Sequence, residues 1–287
     1  MPSPPIPTTI APCSCCGCKA VRARKRLGQH FLHHRAILAR IADALGARPG
    51  DLVLEIGPGQ GSLTGELVAR GARVVAIEKD RDLVPLVQAR LPAVTIVQGD
   101  ALEVDWRATA GAGPGDPLLV TGNIPYNITT PLLDRALLPP RPVRIVFLVQ
   151  KEVAERIAAP PGSKTYGALS VGVQAVARAE KLFSVPAGAF HPPPKVDSAV
   201  IRLTPLTEPM VADADLPRFR RLVVGLFGFR RKQLLRGLRE LTGWTAERVG
   251  AVLFRAELLP GSRPEAVAPA GFVRLLAALI DAGWTAD

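Results

Sequence analysis

"LVLEIGPGQGSLTGELV", residues 52–68, decides the fold. An apolar run ends at Ile56, Gly57, Gly59 and Gly61 follow, and helical spacing begins at Ser62. Strand, glycine turn and helix in direct succession open a β-α-β unit. Glycines at such a turn let the backbone approach a ligand at the carboxyl end of a strand. A dinucleotide fingerprint would read G-x-G-x-x-G, but here the third glycine arrives one residue early and position 62 is Ser. An acid, Glu55, stands inside the strand end before the loop.

Working outward, the runs "RVVAIE" (73–78), "VTIVQ" (94–98), "LLVTG" (118–122) and "RIVFLVQ" (144–150) read as further strands. Helical patterns near 62–70, 81–90, 129–138 and 151–158 separate them. This alternation predicts an α/β fold with a mostly parallel sheet covered on both faces. Glu78 ends the second strand, where an acid accepts hydrogen bonds from ribose hydroxyls. Asp100 follows the third strand, where a carboxylate can accept from an adenine amine. With Glu55, three acids stand at three successive strand ends behind a glycine loop. The E-x-G-x-G-x-G form resembles motif I of S-adenosylmethionine-dependent methyltransferases, which implies a Rossmann-like domain and that cofactor.

The fourth strand runs into "VTGNIPYNITTPLL" (120–133). A plain turn needs Gly or Asn for positive φ, but not a tyrosine beside them. Asn123-Ile124-Pro125-Tyr126 resembles the N/D-P-P-Y/F motif of amino-methyltransferases. The exocyclic amine of adenine is a poor nucleophile, because its lone pair is delocalised into the ring. The Asn123 side-chain oxygen and the Ile124 carbonyl can accept from that amine and turn it towards a methyl group. Pro125 stiffens the turn, and Tyr126 offers a flat face for a flipped-out base. Transfer then depends on proximity and orientation, with no metal required. The structural alternative is an Asx-type turn with a tyrosine packed on the core.

The chain has 287 residues and a net charge of +11, with 48% apolar residues. That length suggests one large or two modest domains, and the positive excess suits a polyanionic partner. No apolar run approaches the roughly 20 residues of a membrane span, and prolines interrupt the N-terminus, so a soluble cytoplasmic protein is expected. All four cysteines, Cys13, Cys15, Cys16 and Cys18, lie in one Pro- and Ser-rich tract, which is no disulfide framework. Their spacing departs from paired C-x₂-C zinc sites, so residues 1–20 read as a disordered tail, with soft-metal binding as the alternative. After Tyr166, residues 168–177 read as a helix, and 178–185 and 197–204 as strands. "TPLTEPMVADADLP" (204–217) reads as a linker, with helices beyond it. The basic residues gather at Arg22–Arg26 and Arg218–Arg239, a pattern that favours phosphate binding over plain solvation.

"RKRLGQHFL", "EIGPGQGSLT", "IEKD", "GNIPYNITTPLL", "QKEVAERI", "KTYGALSV", "FHPPPKVDSAV" and "FRRKQLLRGL" occur in this order over about residues 22 to 240. In these the chain resembles the ribosomal RNA adenine dimethyltransferases, most closely the bacterial ones. The resemblance implies N6,N6-dimethylation of two adjacent adenines in a hairpin loop near the 3′ end of small-subunit rRNA. It implies cofactor contacts at His30, Leu32, Gly57, Glu78, Asp100 and Asn123, with catalysis at Asn123, Tyr126 and Phe190. For His30, backbone and side-chain contact both remain open, since the family often has Asn there. Phe190 is either a second aromatic at the base or a core plug, and His191 receives no role. The expected organisation is a tail (1–20), a methyltransferase domain (21–206) and a smaller all-α RNA-binding domain (207–287). A monomer acting on small-subunit rRNA in a pre-30S particle is implied, with no metal. Two alternatives stay in view: a resistance-type methyltransferase of large-subunit rRNA, and an assembly or transcription factor on the same fold. A glutamine-amide methyltransferase shares the N-x-P-Y logic but would not need the basic C-terminal half.

Overall fold

A computed structural model describes residue 24 and residues 27–285. The cysteine tract and the tail expected over residues 1–20 lie outside the described residues, as do Arg22, Lys25 and Arg26. The chain packs into two compact units. The first runs through Thr129 and takes in Ser184–Ser198; the second comprises Thr130–Phe183 and Ala199–Asp287. By this division residues 130–183 and 199–206 group with the C-terminal helices, and Ser184–Ser198 groups with the first unit.

The first unit begins with β1 (Phe31–Leu32) and α1 (Arg35–Leu45). Helix α1 buries Leu38, Ile41, Ala42 and Leu45, the spacing of one helical face, and ends on Gly46 in the left-handed region. Then come β2 (Leu52–Ile56), α2 (Ser62–Ala69), β3 (Arg73–Glu78), α3 (Val84–Arg90), β4 (Thr95–Gln98), α4 (Trp106–Ala110) and β5 (Leu118–Asn123). Strands β2 to β5 are parallel, in the order β4-β3-β2-β5. Chain order reverses direction at β2, which opens a crevice beyond the carboxyl ends of β2 and β5. The strands are runs of Val, Leu and Ile because both faces are covered: Val53, Leu54, Ala76, Ile77 and Val120 are at most 1% exposed.

Helices α5 (Thr129–Ala136), α6 (Lys151–Ile157) and α7 (Ala168–Gln174), with strands β6 (Arg144–Gln150) and β7 (Ala177–Val185), follow. Next are β8 (Phe190–His191) and β9 (Ser198–Pro205), and the second unit orders its strands β6-β9-β7. Within the proline-rich "FHPPPKV", Phe190–His191 forms β8, which pairs antiparallel with β1. The chain ends in α8 (Leu216–Gly228), α9 (Leu234–Thr242), α10 (Ala246–Arg255) and α11 (Pro269–Asp281), so the expected C-terminal helical region is present. Its core joins Phe219, Leu222, Leu226, Phe272 and Leu275, with the Phe227 and Phe272 rings stacked at 5.9 Å. Among the described residues, no helix is long and apolar enough to cross a membrane.

Candidate active site

The carboxyl ends of β2, β3, β4 and β5 lead into one cleft. Gly57, Gly59 and Gly61 hold φ of 67°, 59° and 78°, the left-handed region that a side chain strains. The space beside Gly57 is open, whereas a Cβ on Gly59 would meet the Phe31 ring at 3.0 Å. Phe31 is therefore seated on the glycine loop, and the Gly57 side remains for a ligand.

Three carboxylates line this cleft: Glu55, Glu78 and Asp100. Glu78 is 5% exposed; its Oε2 accepts from the Gly59 amide at 3.1 Å and its Oε1 from the Asp80 amide at 2.8 Å. Burial raises its pKa, while the bonds from the Asp80 and Gly59 amides oppose that rise. A carboxylate has about four acceptor sites, so capacity remains for a ligand hydroxyl. Asp100 is held by the Lys79 ammonium at 2.5 Å and accepts from the Leu102 amide at 3.0 Å; the lysine is the main reason its pKa is lowered. Glu55 is 1% exposed, and its Oε2 has no hydrogen-bond partner. Burial pushes its pKa up to about 7, the Thr64 hydroxyl nearby lowers it in part without hydrogen-bond geometry, and the Glu78 charge adds to the rise.

The other wall of the cleft brings together His30, Leu32, Asn123 and Tyr126. Asn123 Nδ2 donates to the His30 carbonyl at 2.7 Å. The Tyr126 hydroxyl lies 2.7 Å from Ser198 Oγ, and its ring stacks on His30 with centroids 5.8 Å apart and planes 24° apart. Burial raises the Tyr126 pKa, which keeps the phenol neutral at physiological pH. His30 Nδ1 lies 2.8 Å from the Pro192 carbonyl. Phe190 is 3% exposed, pairs with Leu32 across β1 and β8, and is not among the cleft-lining residues.

Sequence reasoning missed the supports of this wall. Ser198 and Pro192 lie 72 and 162 residues from the groups they hold, so no local pattern announces them. It also missed how Arg24 is used. Arg24, expected at phosphates, instead pairs with Asp80 at 3.0 Å and with Asp82. Gln29 Nε2 donates to the same Asp80, at 2.9 Å. The segment before β1 is thereby tied to the end of β3. Among the described residues, no three His, Cys, Asp or Glu side chains are grouped to hold a metal.

A cleft with three carboxylates and an open glycine loop fits a cationic sulfonium cofactor that bears ribose hydroxyls and an ammonium group. Fold and site together define an S-adenosylmethionine-dependent methyltransferase. The model of the ribosomal RNA adenine dimethylase family matches residues 20–258. The chain is 44% identical over 271 residues to "Ribosomal RNA small subunit methyltransferase A" of Geobacter metallireducens, covering 92% of this chain and 98% of the relative. It is 46% identical over 259 residues to the protein of the same name from Pseudomonas aeruginosa, covering 88% and 93%. Among solved structures it is similar to a dimethyladenosine transferase from Plasmodium falciparum (TM-score 0.77, 26% identity, 88% and 98% covered). It is also similar to the 23S rRNA methyltransferase ErmE (TM-score 0.68, 31% identity, 87% and 99% covered). The chain belongs to the ribosomal RNA adenine dimethylase family, and its methyl donor is S-adenosylmethionine.

Proposed function

We propose that the protein dimethylates N6 of two adjacent adenines in a hairpin loop near the 3′ end of small-subunit rRNA, flipping each base into the cleft. The observation that favours this reading is the Asn123 amide. Its nitrogen is spent on the His30 carbonyl, so its oxygen is left to accept from an amine. When bound, the cofactor supplies an electrophilic methyl group on a sulfonium. Glu78 holds its ribose hydroxyls, Asp100 accepts from its adenine, and Leu32 and the Gly57 side of the loop pack against it. Asn123 Oδ1 and the Ile124 carbonyl orient the target amine, and the neutral Tyr126 ring stacks on the flipped base. Positioning of this kind supplies the rate without a metal or a strong base.

Phe190, buried as it is, serves by holding Leu32 in place through the β1–β8 pair. The exposed cations of the helical region, residues 207–287, supply phosphate contacts to a pre-30S particle, and a role in small-subunit maturation follows. The protein acts as a cytoplasmic monomer. Names of the relatives at 44% and 46% identity support the small-subunit target over the large-subunit target named for the 31% neighbour. The deciding experiment incubates the protein and S-adenosylmethionine with small-subunit particles and, separately, with large-subunit rRNA, then maps methylated nucleosides by mass. Dimethyladenosine pairs in the small-subunit hairpin are expected. Modification of large-subunit rRNA alone, or none at all, would overturn the reading.

A further inference from the structure

The His30 imidazole lies between the Tyr126 ring and the Pro192 carbonyl. One of its faces is stacked against Tyr126, at 5.8 Å between centroids and 24° between planes, within the range of offset aromatic pairs. Its Nδ1 lies 2.8 Å from the Pro192 carbonyl. A carbonyl oxygen only accepts, so Nδ1 carries the hydrogen and the ring is held in one orientation.

Its neighbours stop it from sliding. Phe31 presses on Gly59, and Leu32 pairs with Phe190. The His30 carbonyl also receives the Asn123 amide at 2.7 Å. The same returning segment, Ser184–Ser198, supplies both Pro192 behind the imidazole and Ser198 at the tip of Tyr126.

From this geometry we infer that His30 is a positioning residue: its imidazole backs the Tyr126 ring so that the opposite face is presented to the flipped adenine. Ser198 holds the Tyr126 hydroxyl, and a hydrogen bond at one end of a ring does not by itself fix its tilt. A base gains stacking energy only if the ring is already parallel to it, so the imidazole reduces the ordering that base entry requires. The inference rests on the proposed reading of Tyr126 as the stacking face. It differs from the cofactor contact implied for His30 by resemblance, and it needs no hydrogen bond from His30 to the cofactor.

The test uses the full chain with His30→Ala and His30→Phe, each alone and combined with Tyr126→Ala. Cofactor affinity is measured by calorimetry without RNA. Single-turnover methyl transfer is measured at saturating cofactor, on whichever rRNA the wild type modifies. His30→Ala should leave the cofactor Kd within about twofold and slow transfer about tenfold, the lower part of what one stacked base contributes. His30→Phe keeps a ring and should recover to within about threefold of wild type. In the Tyr126→Ala background, His30→Ala should cause no further loss, because the two residues act as one unit. A tenfold weaker cofactor Kd with an unchanged saturating rate would overturn the inference. So would additive losses with Tyr126→Ala, or a His30→Phe variant as slow as His30→Ala. Activity of the wild type on small- and large-subunit rRNA reports on the functional reading by itself. The RNA-free affinity measurement reports on His30 whichever target is found.

Discussion

The carbonyl oxygen of Ile56 lies 2.4 Å from the point where a Cβ on Gly122 would stand. The two residues are register partners at the ends of β2 and β5. This close approach brings the glycine loop and Asn123 into one crevice. The obstructing atom is backbone, so it cannot swing aside as a side chain would. Gly122→Ala should cost about 1–3 kcal/mol of stability, the range for overpacking, by forcing the strand ends apart. Methyl transfer should fall well beyond what the unfolded fraction explains, because Asn123 moves with its neighbour. A variant with native melting temperature and native rate would contradict this.

The proposed roles of Asn123 in orientation and Tyr126 in stacking can be separated. Asn123→Ala should abolish transfer while circular dichroism and RNA binding persist. Tyr126→Ala removes a stacking face worth roughly 1–3 kcal/mol. Tyr126→Phe keeps that face and loses only the bond to Ser198, about 1 kcal/mol. Single-turnover rates should therefore descend in the order wild type, Tyr126→Phe, Tyr126→Ala, Asn123→Ala. Near-wild-type transfer by Asn123→Ala would reduce the motif to a structural turn.

Glu78 is tied to the glycine loop, since it accepts from the Gly59 and Asp80 amides. Glu78→Ala should weaken cofactor binding by about 1.5–3 kcal/mol, the range for hydrogen bonds to a charged group. Glu78→Gln retains one acceptor oxygen and should lose less. Calorimetry finding native affinity in a folded Glu78→Ala variant would remove this role.

Glu55 should make stability depend on pH. Its pKa is raised from the ordinary 4.5 to about 7 in the folded chain. Below pH 4.5 it is protonated in both states, and its burial is fully tolerated. Between the two values the folded state keeps a proton that the unfolded state has released, so this tolerance is progressively lost as pH rises. Above pH 7 the folded chain buries a charge, at a cost of about 3 kcal/mol from the shift at 1.36 kcal/mol per unit. Glu55→Gln, neutral throughout, should be more stable than wild type in urea at pH 8, and the gap should close towards pH 4.5. A gap that does not vary with pH would argue against a buried, titrating Glu55.

The basic stretch at residues 230–236 divides by partner. Arg230 is bound to Glu265 at 2.9 Å and to the Lys164 carbonyl at 2.8 Å, and Lys232 to Glu240 at 2.7 Å. Arg231 and Arg236 are exposed. Replacing these two with Ala should weaken RNA binding and flatten its salt dependence by roughly 0.7–0.9 per lost phosphate contact, with cofactor affinity unchanged. An unaltered slope would move the RNA surface elsewhere.

Much of the fold was legible because its signals are local. Strands β2 to β6 are apolar runs flanked by helical spacing, and their observed limits fall within a residue or two of those expected. Glu78 and Asn123 end β3 and β5 and Asp100 lies two residues beyond β4, so strand position alone points all three at the cleft. Strands β1 and β8 could not be read. Each has two residues, and neither is a strand until Phe31 meets His191 from far along the chain. Helix α4, five residues long, also lacked enough turns to show a period.

The sequence by itself determined the parallel sheet, the glycine loop and the residue types that line the cleft, because periodicity, turn chemistry and strand-end position act between near neighbours. Only the tertiary structure decided how those groups are aimed. The Asn123 amide is turned by a carbonyl 93 residues away, and Tyr126 is held by a serine 72 residues away. Arg24 is paired with Asp80, and Gly122 is required by Ile56. A hydrogen bond or a steric limit depends on where two atoms lie in space, and chain separation carries no trace of that until the sheet has formed.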